Sequence, residues 1–231
     1  DVYKRQGFMQ KGTPREVSRK ELLERAEVSP QILSTLVTKG IFENYGKEIS
    51  RLSNNPLHTE SPYPLSPIQQ KAYNEIIDRF SQKETVLLHG VTSSGKTEIY
   101  IHLIDTVLKQ GRQVLYLVPE IALTTQLTTR LQRVFGNKLS IYHSKFTDNE
   151  RVEIWNDLLH DKGAQIILGV RSSIFLPFRD LGLVIVDEEH EGSYKQQEPS
   201  PRYHARNAAI VLASMHGAKT CLLYTSDAAD E

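Results

Sequence analysis

The chain has 231 residues, of which 39% are hydrophobic and 24% charged. That is enough to build one large core or two smaller ones. Twenty-eight Lys and Arg balance 28 Asp and Glu, so any surface for a polyanion must be a local patch and not the field of the whole protein. The single cysteine, Cys221, excludes an internal disulfide framework or a Cys-based zinc site. No apolar run approaches the 18 residues a membrane helix needs, and the opening residues have no signal-peptide core. A soluble, cytoplasmic chain with no membrane partner is the expectation.

In chain order, the first module is helical. Ser18 can cap a helix carrying Leu22, Leu23 and Ala26. Ser29, with Pro30 behind it at a first-turn position, can cap a second that carries Ile32, Leu33, Leu36 and Val37, with Gly40 as its stop. Ile41-Phe42 and Glu48–Leu52 can then form a hairpin around Tyr45-Gly46. Helix, short turn, helix and hairpin resemble a winged helix, which serves either DNA binding or protein docking. Residues 7–53 are assigned to it. Residues 53–67 hold four prolines, which favours extended backbone, and residues 54–64 are taken as a linker.

From residue 65 to 220 strands and helices alternate. Candidate strands are Thr85–His89, Gln113–Val118, Leu139–His143, Gln165–Val170 and Leu183–Asp187, all short apolar runs suited to burial on both faces. Candidate helices cover about 97–109, 121–135, 147–160 and 204–215. The order predicts an α/β fold: a parallel sheet with helices on both faces, of the RecA-like kind. On the helix at 147–160, Trp155 with Val152 and Leu159 is expected to face the core.

Gly90-Val91-Thr92-Ser93-Ser94-Gly95-Lys96-Thr97 fits G-x-x-x-x-G-K-S/T, between a strand and a helix. The glycines let the backbone curl so that successive N–H groups point at phosphate. The helix N-terminus, continued by Glu98, favours negative charge. Lys96 supplies a cation for the outer phosphates, and the Thr97 hydroxyl is a hard ligand suited to Mg²⁺. Further on, an apolar strand ends in Asp187-Glu188-Glu189-His190. Ligands in such sheets gather at the C-terminal strand ends. Asp187 is therefore placed to hold the metal and Glu188 to take a proton from an attacking water.

Asp-Glu-x-His downstream of that loop resembles motif II of the superfamily-two helicases. Pro119–Gln126 (PEIALTTQ) looks like motif Ia, Gly169–Phe178 (GVRSSIFLPF) like motif Ib, and DEEHEGSYKQQ followed by PRYHARN like the acidic box and aromatic-rich loop of the PriA family of bacterial replication-restart helicases. Leu65 with SPIQQ is similar to that family's Q-motif. The resemblance covers about residues 7–220. It implies an ATP-dependent 3′–5′ DNA helicase of replication restart and primosome assembly, acting on single-stranded and forked DNA with primosome and single-strand-binding proteins. It implies that Gln69 reads adenine, that ATP and Mg²⁺ are the cofactors, and that His190 relays nucleotide state. Glu120, Thr124 and Arg171 fall in motifs that face single-stranded DNA in related helicases. The loop holding Tyr194, Lys195 and Tyr203 interleaves aromatics and cations, which suits stacking on unpaired bases and coupling to the acidic box. Alternatives are another superfamily-two DNA translocase, or a non-enzymatic ATP-gated DNA-binding regulator.

The sequence also departs from the family. A complete motor has a second lobe, and the family carries paired-cysteine zinc sites whose ligands are missing here. CLLYTSDAADE stands where a Ser-Ala-Thr motif is expected. Residues 1–6 and 221–231 therefore read as non-native tails, expected to be disordered or arbitrarily packed. The whole reads as a fragment comprising winged helix and first motor lobe, nearly inactive by itself.

Overall fold

The computed structural model describes residues 2–5, 16–18, 22–23, 29–45, 59–91, 94–122, 124–143, 147–160 and 164–226. Two compact units divide at residues 51 and 52.

In the first unit, β1 (Val2–Arg5) is the middle strand of a three-stranded antiparallel sheet, between β2 (Glu16–Ser18) and β3 (Phe42–Tyr45). Helix α1 (Pro30–Thr38) starts at Ser29, has Pro30 in its first turn and buries Leu33. Two expectations change here. Residues 2–5 are paired on both edges and not loose, and Tyr45 belongs to a strand and not to a turn. The expected partner strand 48–52 and most of the expected helix after Ser18 lie outside the described residues.

The second unit is an all-parallel six-stranded sheet. Its strands are β4 (Thr85–Val91), β5 (Gln113–Leu117), β6 (Leu139–Tyr142), β7 (Ile166–Gly169), β8 (Leu181–Val186) and β9 (Lys219–Ser226), in the order β4-β9-β8-β5-β7-β6. The period-two alternation of strand side chains divides the core. Val114, Tyr116, Leu183, Ile185 and Leu223 face one layer, and Leu115, Leu117, Val184 and Val186 face the other. The first layer is covered by α2 (Pro67–Phe80), α3 (Lys96–Lys109) and α4 (Thr125–Phe135). The second is covered by α5 (Asp148–Leu159) and α6 (Ala205–Met215), with Ala205, Ala209 and Ala213 in a small-residue row against the sheet. Gly182 permits a close helix–sheet approach: a Cβ there would lie 2.6 Å from Val107 Cγ1 of α3.

Three departures from the sequence expectation have physical reasons. Residues 67–80 form a helix that apolar periodicity did not announce, because Ile68 is 83% exposed and only Ile76 and Phe80 are buried. Its start is fixed by a capping box between Ser66 and Gln69 with Pro67 in the first turn. On α5 the buried pair is Ile154 and Leu158, while Trp155, Val152 and Leu159 are 44–56% exposed. The apolar residues of that helix span too wide an arc for periodicity to choose the buried side. Finally, Cys221 and Leu223, expected in a loose tail, are core residues of an interior strand. The strand pattern accounts for this: Cys221 and Leu223 alternate onto the face that α2–α4 cover.

Candidate functional site: a phosphate loop facing an acidic box

The two motifs sit on strands with one neighbour between them. Thr85–Val91 pairs with Thr220–Ser226 in parallel register, and Leu183–Val186 pairs with Lys219–Leu222. All strands point the same way, so the loop after β4 and the carboxylates after β8 emerge at the same end of the sheet. Thr97 and Asp187 line one cleft of about 800 Å³, together with Tyr63, Thr124 and Arg130. The charges of Asp187 and Glu188 both act on the Lys96 ammonium.

Each part of the loop has a local cause. Gly95 is the N-cap of α3 with φ +75, a left-handed conformation that favours glycine. A Cβ at that position would collide with the Gln69 side chain. Lys96 Nζ donates to the carbonyls of Gly90 and Val91, each at 2.8 Å. Burial lowers its pKa, opposed by the two carboxylates. The Ser94 amide donates to Val91 O. Thr92 and Ser93 lie outside the described residues. Gln69 is fully used at one point per atom: Oε1 accepts from Ser66 N at 2.8 Å and Nε2 donates to Gly95 O at 3.1 Å. One lone pair and one N–H remain, a donor–acceptor edge of the kind a purine offers. Glu98 does not point to phosphate chemistry. Its carboxylate takes both Nε and NH2 of Arg130, at 3.0 and 2.8 Å, and Arg130 in turn lies 3.9 Å over the Tyr63 ring.

The acidic box is strained and desolvated. Asp187 Oδ2 accepts from the Tyr116 hydroxyl at 3.0 Å, and Oδ1 accepts from Glu188 N at 3.1 Å. Burial raises the Asp187 pKa above the ordinary carboxylate range, partly offset by the Tyr116 hydrogen bond and by Lys96. Glu188 has φ +44, the sole positive-φ non-glycine among the described residues. Such a backbone costs about 1–2 kcal/mol and concentrates at functional sites. Its carboxylate accepts from the amide and hydroxyl of Thr225. His190 Nδ1 is 3.9 Å from Glu188 Oε2, and its ring meets Tyr224 edge-on at 4.7 Å. Glu189 pairs with Arg206 at 2.5 Å.

The residues expected to face nucleic acid divide into two places. Glu120 and Arg171 line one small cavity of about 130 Å³ with Val118, Pro119, Ser193 and Tyr194. Arg171 NH1 donates to the carbonyls of Ser193 and Lys195 at 3.3 Å, which ties motif Ib to the loop after the acidic box. Lys195 is exposed, and Tyr203 is half-buried beside Arg171. Thr124 lies apart from them. Its hydroxyl caps α4, accepting from Leu127 N at 3.2 Å, and it lines the phosphate cleft. Tyr194 corrects the sequence reading: it is 1% exposed, so its ring cannot stack on a base. Its hydroxyl instead donates between Asp187 O at 2.6 Å and Leu117 O at 3.2 Å. A tyrosine in a polar loop is indistinguishable in sequence from an exposed one, whereas its hydroxyl links the ends of two neighbouring strands here.

A family model described as DEAD/DEAH box helicase matches residues 66–225. The chain belongs to the DEAD/DEAH box helicase family. A second model, winged helix domain of PriA helicase from Bacteroidota, matches residues 3–49. Among curated relatives of this chain, the replication restart protein PriA of Bacillus subtilis is 39% identical over 206 residues, covering 87% of this chain and 25% of that protein. The PriA proteins of Synechocystis and Haemophilus influenzae are each 42% identical, covering 82% and 81% of this chain and 23% and 26% of theirs. The resemblance to PriA read from the motifs is borne out. The chain spans about a quarter of the length of these relatives. Its fold is shared with RecG bound to a three-way DNA junction, with a TM-score of 0.54 at 23% identity, over 71% of this chain and 21% of that one. Among the described residues no helix is long and apolar enough to cross a membrane.

Proposed function

We propose that this chain is the winged-helix and first motor portion of a PriA-type replication-restart helicase, which couples ATP hydrolysis to 3′–5′ movement on DNA. The observation that carries the proposal is the convergence of Lys96, Thr97, Asp187 and Glu188 at one end of one parallel sheet. The residues fit a magnesium nucleotide on their own terms. The Lys96 ammonium, folded onto two loop carbonyls, and the desolvated Asp187 carboxylate each lack the full countercharge their surroundings favour. A bound Mg²⁺·ATP supplies an electrophilic phosphorus and a metal that neutralises developing charge. Lys96 would bind the outer phosphates, Thr97 and Asp187 would hold the metal, and Gln69 would read the adenine edge. Glu188, held aside by a left-handed backbone and the Thr225 contacts, accepts the proton of the attacking water. His190, beside Glu188, relays nucleotide state.

Arg171, Lys195 and Tyr203 are the residues through which single-stranded DNA is bound, and Tyr194 transmits its presence to Asp187. Sequence resemblance to PriA supports forked DNA, the primosome and single-strand-binding proteins as partners, and a cytoplasmic setting. The division into a winged helix, a linker over 54–64 and a motor lobe from residue 65 rests on the same motifs, with Val2–Arg5 joined to the first unit and the strand Lys219–Ser226 carrying the lobe past residue 220. The test is Glu188→Gln in the intact protein. DNA-stimulated ATPase should fall by roughly 10²–10⁴ with nucleotide binding retained. Undiminished turnover would remove Glu188 from the chemistry and with it the hydrolytic reading.

A further inference from the structure

Phe175 is out of keeping with its own segment. In Ile174-Phe175-Leu176-Pro177-Phe178, residues 174, 176 and 178 are 5–7% exposed, whereas Phe175 is 55% exposed. The outward position is built in and not a matter of slack. Phe175 ends a 3₁₀ turn, Arg171–Phe175. That turn is fastened by Ser173, fully buried, whose hydroxyl donates to Val170 O at 2.5 Å. Gly169 lies so close to Ser173 that a Cβ there could not be accommodated. With the turn fixed and Ile174 directed inward, the next side chain points out.

What it meets there is Tyr203, at 5.0 Å between ring centroids and 75° between planes. An edge-to-face pair of this kind leaves ring faces uncovered. Tyr203 is itself held: its carbonyl accepts from Gln196 N at 2.9 Å, next to the bridge between Lys195 and His204. Arg171, on the same 3₁₀ turn as Phe175, acts on the Tyr203 phenol and is anchored by the carbonyls of Ser193 and Lys195. Two rings on rigid backbone thus stand beside one guanidinium and one exposed ammonium. The ligand that matches alternating flat apolar faces and closely spaced anions is a single-stranded nucleic acid.

We propose that Phe175, braced by Tyr203, is a stacking platform for one unpaired base, with Arg171 and Lys195 taking the phosphates on either side. The assignment rests on the DNA-motor reading above and deepens it: within the motif Ib stretch it gives Phe175, and not only Arg171, a contact with the strand. Any base has a π-face, so the platform is indifferent to sequence and suited to a strand that moves past it.

The experiment uses this chain, fluorescence anisotropy, and two oligonucleotides of equal length: oligo-dT and its abasic counterpart, which keeps the phosphates without the bases. Phe175→Ala should weaken oligo-dT binding by about five- to a hundredfold. It should leave abasic binding and the salt dependence unchanged, and Phe175→Trp should restore oligo-dT binding. Because the side chain is exposed, both variants should fold, and circular dichroism checks that. Equal affinity of Phe175→Ala and wild type for oligo-dT would overturn the platform, as would an equal loss on both oligonucleotides. A wild-type chain that binds neither oligonucleotide would overturn the DNA reading itself along with the platform, so the two failures are distinguished.

Discussion

Tyr194→Phe removes one oxygen from the interior and nothing else. The ring is 1% exposed and packs in the layer covered by α5 and α6, so the phenylalanine keeps every apolar contact. The lost hydroxyl serves two carbonyls, and they are not equivalent. Leu117 O retains the Asp187 amide as donor at 2.9 Å. Asp187 O loses a 2.6 Å bond in a place where burial has already pushed the Tyr194 phenol pKa up, so the hydroxyl is a donor at every working pH. A buried carbonyl left without its donor costs about 1–3 kcal/mol, or roughly a 5- to 150-fold change in the unfolding constant. Urea unfolding followed by circular dichroism should show a lower midpoint with the slope unchanged. Affinity for oligo-dT should stay within twofold of wild type, since a buried ring does not stack. A destabilisation below about 0.5 kcal/mol would show that the hydroxyl is not the clamp described. Loss of DNA binding with stability intact would return Tyr194 to the surface as a stacking residue.

Other predictions follow from neighbouring features. At Glu188 the φ of +44 reverses the usual order of small residues: Glu188→Gly should be more stable than Glu188→Ala by about 1 kcal/mol, as measured by urea unfolding. On α5, Trp155→Ser should cost about 1 kcal/mol or less, whereas Ile154→Ala should cost about 2–5 kcal/mol; the opposite ranking would restore Trp155 to the core. Glu98→Ala, which strips Arg130 of a bidentate partner while both side chains are 80–85% buried, should cost about 1.5–3 kcal/mol. Asp187 has a folded-state pKa raised by burial, so its contribution to stability is present below the ordinary carboxylate pKa and is lost as pH rises through the raised value. Lowering pH from 7 toward 4.5 should therefore stabilise the metal-free wild type relative to Asp187→Asn, and added Mg²⁺ with nucleotide should remove the difference at pH 7.

Much of the nucleotide site was legible because its parts obey local rules. Glycines before a helix, a lysine and a hydroxyl, and carboxylates after an apolar strand are chemistry written within a few residues. Parallel topology then carries them to one end of the sheet. The strands were legible for a similar reason: Gln113–Leu117 and Leu181–Val186 are buried on both faces, so unbroken apolar runs betray them. What escaped depends on which side of a residue the rest of the protein lies. Trp155 and Ile154 are adjacent and equally apolar, and only the position of the sheet decides between them. Tyr194 and Phe175 show the same dependence. The tyrosine of a polar loop is drawn inward by two strand-end carbonyls, and the phenylalanine of an apolar run is turned outward by a 3₁₀ turn. The helix over residues 67–80 carries a strong start signal in Ser66, Pro67 and Gln69, but with only Ile76 and Phe80 buried there is no apolar stripe behind it to announce a helix.

The convergence of Lys96 and Asp187 on one magnesium nucleotide is tested most directly by calorimetric titration of a non-hydrolysable ATP analogue into this chain, with and without Mg²⁺. The two positions should separate cleanly: Lys96→Ala should weaken binding in both conditions, and Asp187→Ala should abolish only the gain that Mg²⁺ confers. An Asp187→Ala chain that keeps the full magnesium gain would contradict the account at its centre.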